Sequence, residues 1–183
     1  MITAMDSSRK WVALGYSLPI NPSRNRVYVW RKLKEFGAEY FKQGVAILPS
    51  NKKNSVRFSR LAQRISELGG EAQLVELRFL NPADEAALIE KFCRQSDSEY
   101  TALLHECGEL FAQLKARAGQ KLSEYETDQL KKVVRKYARA KNRDHFQSGF
   151  SREMEEKLYG AIDSFRATAA DLAAQLQRTL DKL

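Results

Sequence analysis

Between Trp11 and Leu18 the residues alternate, with Val12, Leu14, Tyr16 and Leu18 on one side and Ala13, Gly15 and Ser17 on the other, which predicts a strand. Pro19 and Pro22 close it, and Ser23 stands where it can cap the helix that follows. In that helix Val27, Trp30, Leu33 and Phe36 recur at every third position and are expected to form the buried stripe, with Gly37 as the stop. AEYFKQ and VAILP then flank Gly44 as a hairpin-like pair. A second helix is expected from Lys52 to Leu68, with Val56, Leu61 and Ile65 facing inward and a left-handed cap at Gly69-Gly70. AQLVELRFL supplies a fourth strand.

The order β-α-β-β-α-β over residues 11–80 is the split βαβ pattern, and the expected class is α+β. The corresponding architecture is a ferredoxin-like sandwich, two helices on one face of a four-stranded antiparallel sheet. On that architecture Val12, Leu14, Val45, Ile47, Leu74 and Leu77 should lie mainly buried under Trp30, Leu33, Leu61 and Ile65, and both tryptophans should be core residues.

From Asn81 the pattern is helical throughout, so the expected domains are residues 1–80 and a helical region at 81–183. Asn81-Pro82 with Asp84 and Glu85 reads as a helix start. Tyr100, Leu103, Leu104, Cys107, Leu110, Phe111 and Leu114 form one apolar stripe. Ser123 and Glu126 have capping-box spacing. A last helix is expected from about Ser151 to the C-terminus, because Leu158, Ile162, Phe165, Ala169, Leu172, Leu176, Thr179 and Leu183 keep a heptad rhythm. That rhythm suits a leg of an internal bundle, or else a dimer seam.

Charge changes the picture by its placement. The 183 residues carry a net +8, which suggests an anionic partner. Residues 1–83 hold 14 bases and 6 acids, residues 84–128 hold 5 and 10, and residues 129–183 hold 12 and 7. Cys93 and Cys107 lack ligand spacing and read as reduced apolar residues. No apolar run approaches the ~20 residues that span a bilayer. MITAMDSSRK lacks the apolar centre of a signal peptide and is expected to fray. The expected location is the cytoplasm, with no membrane contact.

Two basic stretches are candidates for gripping phosphate. Arg24, Arg26, Arg31, Lys32 and Lys34 crowd the first helix with no acid until Glu35, where the alternative is a solvated face. Between Lys131 and Arg143 seven residues are basic and none acidic, and Lys131, Arg135, Arg139 and Arg143 follow one another at four-residue steps. That ridge either meets a phosphate backbone or packs on the acidic segment 84–128 of the same chain. His105 and Cys107, two residues apart, point away from each other on a helix, so no metal site is expected. His145 beside Asp144 has no nucleophile placed by a motif, so no enzyme and no cofactor is expected.

WVALGYSLPINPSRNRVYVWRKLKEFGAEYFKQGVAILPSN, followed by ELGGEAQLVEL, resembles the N-terminal region of ChrB, the bacterial chromate-resistance regulator. The shared features are a strand ending in Y-S-L-P, an R-V-x-V-W-R-K/R-L helix, then G-A and a K-x-G-V-x-x-L-P hairpin. The likeness continues more weakly through DSEYTALLHECGEL. It implies a cytoplasmic, non-enzymatic, DNA-associated regulator or accessory protein of oxyanion resistance. Family members usually carry a further C-terminal domain to which the chromate response is attributed. A more distant similarity runs to the ferredoxin-like CRISPR adaptation nucleases, which imply a dimer. Their first strand ends in a metal-binding Asp, and Ser17 occupies that place here, a poor ligand for Mg²⁺. The expected partners are therefore DNA and a second copy, through Arg24, Arg26, Arg31, Lys32, Lys131, Arg135, Arg139 and Arg143 in the case of DNA. A homodimeric scaffold without DNA binding is the alternative, and a metal nuclease a more remote one.

Overall fold

The structure is a computed structural model that describes residues 9–183; the terminal segment expected to fray falls largely outside them. The class is α+β, with a four-stranded antiparallel sheet and, among the described residues, six helices. Two compact units divide the chain, the first ending at Phe92 and the second beginning at Cys93.

The first unit runs β1 (Trp11–Ser17), α1 (Ser23–Phe36), β2 (Glu39–Lys42), β3 (Val45–Pro49), α2 (Lys52–Glu67) and β4 (Glu71–Leu77). The sheet order is β2-β3-β1-β4, with every neighbouring pair antiparallel. Gly44 makes the β2–β3 turn at φ 74°, and its carbonyl accepts from the Tyr16 amide. Gly37 stops α1 in the left-handed conformation. At the end of α2, Gly69 takes φ 78° and Gly70 donates to the Ile65 carbonyl. Gly70 admits no side chain, since a Cβ there would lie 2.4 Å from the Ser17 carbonyl oxygen.

Both sides of the central strands are buried. Val12 and Leu14 face the same way as their partners Leu48 and Ala46, while Trp11 and Ala13 point oppositely with Pro49 and Ile47. The Trp11 side meets Phe79 edge-on and Phe92 in a stack, and its indole N–H donates to Glu85 at 2.8 Å. Val45 and Ile47 therefore cannot share a layer with Val12 and Leu14, as the sequence pattern suggested. Leu74 is 40% exposed because β4 is an edge strand, and the strand ends at Leu77 rather than Leu80.

The helices also differ from expectation in their buried faces. In α1 the buried residues are Val29 and Leu33, with Phe36 half-buried, while Val27 and Trp30 are exposed. Steps of three lag 60° each on a helix of 3.6 residues per turn, so Val27 and Phe36 point half a turn apart. Steps of four and three, as from Val29 to Leu33 to Phe36, stay on one side. In α2 Phe58, Leu61 and Ile65 are buried while Val56 is exposed. Asn54 is buried beside them, its amide donating to the Pro49 carbonyl at 2.9 Å, and the side chain of Asn51 caps the helix. Ser23 is the first helical residue of α1 rather than its cap.

After β4 come α3 (Pro82–Ala116), α4 (Glu124–Arg143), α5 (Gly149–Phe165) and α6 (Ala170–Leu180). Asn81 opens α3, its side-chain oxygen accepting from the Ala83 amide. The second unit has one core of Tyr100, Leu103, Cys107 and Leu114 with Leu130, Val133, Val134 and Tyr137, completed by Met154, Leu158, Ile162, Phe165, Leu176 and Leu180. The expected C-terminal helix is two, separated at residues 166–169. Thr168 bonds back to the Phe165 carbonyl and across to that of Gln120, which turns the chain. The expected heptad face is buried through Leu158, Ile162 and Phe165, but α6 buries Ala173, Leu176 and Leu180 instead, and Thr179 and Leu183 are exposed.

The capping box at α4 is complete. Glu126 accepts from the Ser123 amide and hydroxyl, and Ser123 accepts from the Glu126 amide. Replacing Ser123 by Ala should cost about 1 kcal/mol, measured by denaturant unfolding. The Ser123 donors, then Arg117, hold the Glu126 carboxyl below the usual range. A depressed folded value means that its stabilisation is present above the unfolded value and is lost as pH falls through the folded one. The melting-temperature gap between the wild type and Glu126→Gln should therefore shrink on acidification below about pH 4.

Candidate nucleic-acid interface

In the first unit α1 and α2 lie side by side in contact. The Arg57 guanidinium sits 5.3 Å from the Phe36 ring centre, and that of Arg64 lies 5.9 Å from Tyr28. The later part of α1 thus meets the earlier part of α2, and the helices run antiparallel. Arg24, Arg26, Arg31 and Lys34 are exposed on α1. Lys32 is half-exposed and bonds Glu35 at 2.7 Å, which raises its pKa.

The second helix adds a set of cations that the reading of apolar positions passed over. Lys53, Arg57, Arg60 and Arg64 fall at i, i+4, i+7 and i+11, one ridge along α2. Arg57 and Arg64 of this ridge are the two that cover rings of α1. Burial lowers the pKa of Lys53, and the neighbouring positive Arg57 adds to that effect. Burial likewise lowers that of Arg57, against the pull of Glu35. With Lys52, the two helices hold ten bases and two acids, Glu35 and Glu67. The signal was available in the spacing of the basic residues alone.

Trp30, expected in the core, is 50% exposed among these charges, with Arg26 and Lys34 four residues to either side and Arg31 next to it. Val27 is exposed one turn before Arg31. The surface of α1 is therefore cationic and aromatic together.

In the second unit the ridge of α4 divides. Arg143 pairs with Glu99, and Lys136 with Glu106, both acids of the segment 84–128. Lys141 bonds Glu155 at 3.1 Å and the Tyr137 hydroxyl at 3.3 Å. Lys131, Arg135 and Arg139 lie along the outer side, and among the described residues none forms an ion pair. Arg135 and Arg139 are exposed, and Arg135 donates to the Lys131 carbonyl at 3.2 Å. Lys136 and Arg143 thus pack on the acidic segment, while Arg135 and Arg139 of the same helix stay exposed.

His105 is exposed and Cys107 buried, and burial pushes the Cys107 thiol up to about 11. Ser17 is exposed at the end of β1. Among the described residues no group of three His, Cys, Asp or Glu side chains is placed to hold a metal ion. Nor is any helix long and apolar enough to cross a membrane.

An antiparallel sheet carrying a layer of cationic helices, with a helical unit after it, defines the class as α+β. The family described as "Protein ChrB, N-terminal" matches residues 26–179, and the chain belongs to it. The matched span starts in α1 and ends in α6, so both units are included, and the protein is of a chromate-resistance family. No curated protein and no solved structure matches the chain.

The divided ridge makes opposite demands on stability. Arg143→Gln leaves Glu99 about three-quarters buried without its partner, and should cost about 1–2 kcal/mol in thermal unfolding. Changing Arg135 and Arg139 together to Gln removes like-charge repulsion between exposed neighbours, and should leave the melting temperature unchanged or slightly raised.

Proposed function

We propose that this chain is a non-enzymatic, DNA-associated regulator or accessory protein of chromate resistance, acting in the cytoplasm as a homodimer. The observation that carries the reading is the α1–α2 layer, where ten bases and two acids share two adjacent helices. Lys53, Arg57, Arg60 and Arg64 from α2, with Arg24, Arg31 and Lys32 from α1, are spaced to follow a phosphate backbone. Arg26 and Lys34 extend the charge around Trp30. Such contacts give affinity that falls steeply with salt and depends little on sequence. Lys131, Arg135 and Arg139 of α4 are a second candidate contact. Arg143, engaged with Glu99, serves the fold instead.

The reading also treats the first unit as a ferredoxin-like module. Its support is the βαββαβ order with β1 and β3 as the inner strands, each helix joining strands that flank an inserted neighbour. A rigid sheet of this kind fixes the spacing between the two cationic helices, which a phosphate-facing surface requires.

A gel shift on random duplex DNA at two salt concentrations, with and without Mg²⁺, tests the function. A shift that weakens with salt and needs no Mg²⁺ supports it. Absence of a shift at low salt leaves a homodimeric scaffold, and Mg²⁺-dependent degradation leaves a nuclease. Each neutralised phosphate contributes about −0.9 to the slope of log K against log salt. Changing Arg31 and Arg60 to Gln should therefore flatten the slope by about two units for every sequence alike. The Arg135, Arg139 pair, changed in the same way, reports separately on α4.

A further inference from the structure

The two edges of the sheet are built differently. β2 is four residues long, with an irregular register between Tyr40 and Lys42, the kind of short, bent edge that refuses a further strand. β4 is seven residues long and pairs with β1 from Glu71 to Leu77 without a break. It contains no Pro and no Lys, and exposes an apolar side chain on each face, Leu74 at 40% and Val75 at 51%. A long, regular edge strand with unpaired backbone donors and acceptors is one that monomeric proteins ordinarily protect.

We propose that β4 pairs antiparallel with β4 of a second copy, on a two-fold axis through Leu74, to make one continuous sheet. The proposal rests on the homodimer reading above and supplies its seam. A two-fold axis normal to a sheet keeps each face on its own side, so paired residues must share parity. With the axis at Leu74, Leu74 meets Leu74, Gln73 meets Val75, Ala72 meets Glu76 and Glu71 meets Leu77. No two like charges stand opposite each other. Glu76 is already held at 2.8 Å by Lys10 and at 3.1 Å by Ser50, so its charge is answered within its own copy. An axis at Val75 would leave Glu71 and Ala72 outside the pairing of the strand with itself, and an axis at Gln73 would leave Glu76 and Leu77 outside it, so only the Leu74 axis pairs all seven residues. The strand is self-complementary in one register, which favours a second copy over a different protein as the occupant.

Sedimentation equilibrium of the full chain tests the seam. The wild type should be a dimer. Leu74→Lys and Val75→Lys, each at an exposed position, should raise the dimer dissociation constant by tenfold or more, about 1.4 kcal/mol, with unchanged circular dichroism. Leu74→Cys should form a disulfide-linked dimer on mild oxidation, while the wild type and Lys42→Cys on β2 should not. A dimer that survives both Lys substitutions without Leu74→Cys crosslinking overturns the seam and leaves the homodimer standing. A monomeric wild type overturns both, and neither result alters the gel-shift test of DNA binding.

Discussion

Ten cations on two neighbouring helices repel one another, and the apolar contact beneath them is what holds the pair in place. Each like-charge pair at helical spacing costs about 0.2–0.5 kcal/mol. Each fully buried Leu, Ile or Phe side chain returns about 1.5–3 kcal/mol. Val29 and Leu33 from α1, with Phe58, Leu61 and Ile65 from α2, therefore outweigh the repulsion several-fold. Two of the cations also soften their own conflict by lying over aromatic rings, Arg57 on Phe36 and Arg64 on Tyr28. What remains uncompensated points outward, where a polyanion would relieve it. The core thus sets the position of the charges.

The second unit handles the same problem by internal neutralisation. Lys136, Lys141 and Arg143 each find a carboxylate on a neighbouring helix, α3 or α5. Lys131, Arg135 and Arg139 keep to the outside. One helix therefore has a structural side and a cationic side, and a count of its charges cannot separate them.

The strands and helices of the first unit were legible in the sequence because period and punctuation agree there. Alternation from Trp11 to Ser17, Gly37, Gly44 and Gly69 each mark what the chain does. The buried faces were less legible. Apolar residues in α1 outnumber the places beneath it, and Val27 and Trp30 obey a spacing of three that no helix face sustains. In β3 the run VAILP is apolar at every position, so composition does not say which residues face α2. The break at residues 166–169 was hidden because Ala169, Leu172 and Leu176 continue the spacing of α5 in the sequence, although α6 buries Ala173, Leu176 and Leu180. Of the candidate site, the α1 cations were visible as a run. The ridge of α2 lay in plain spacing, and only its contact with α1 makes the two one surface.

The two tryptophans of the chain sit in opposite surroundings. Trp11 is sealed against Phe79 and Phe92, its N–H bonded to Glu85, so it emits as an indole in hydrocarbon and lies beyond the reach of an aqueous quencher. Trp30 stands half in water among Arg26, Arg31 and Lys34, emits further to the red and draws iodide towards itself by their charge. The intrinsic fluorescence therefore separates into a component that changes when the core opens and another that changes when anything covers α1. Loss of structure and occupancy of the surface are optically distinct, with no label attached.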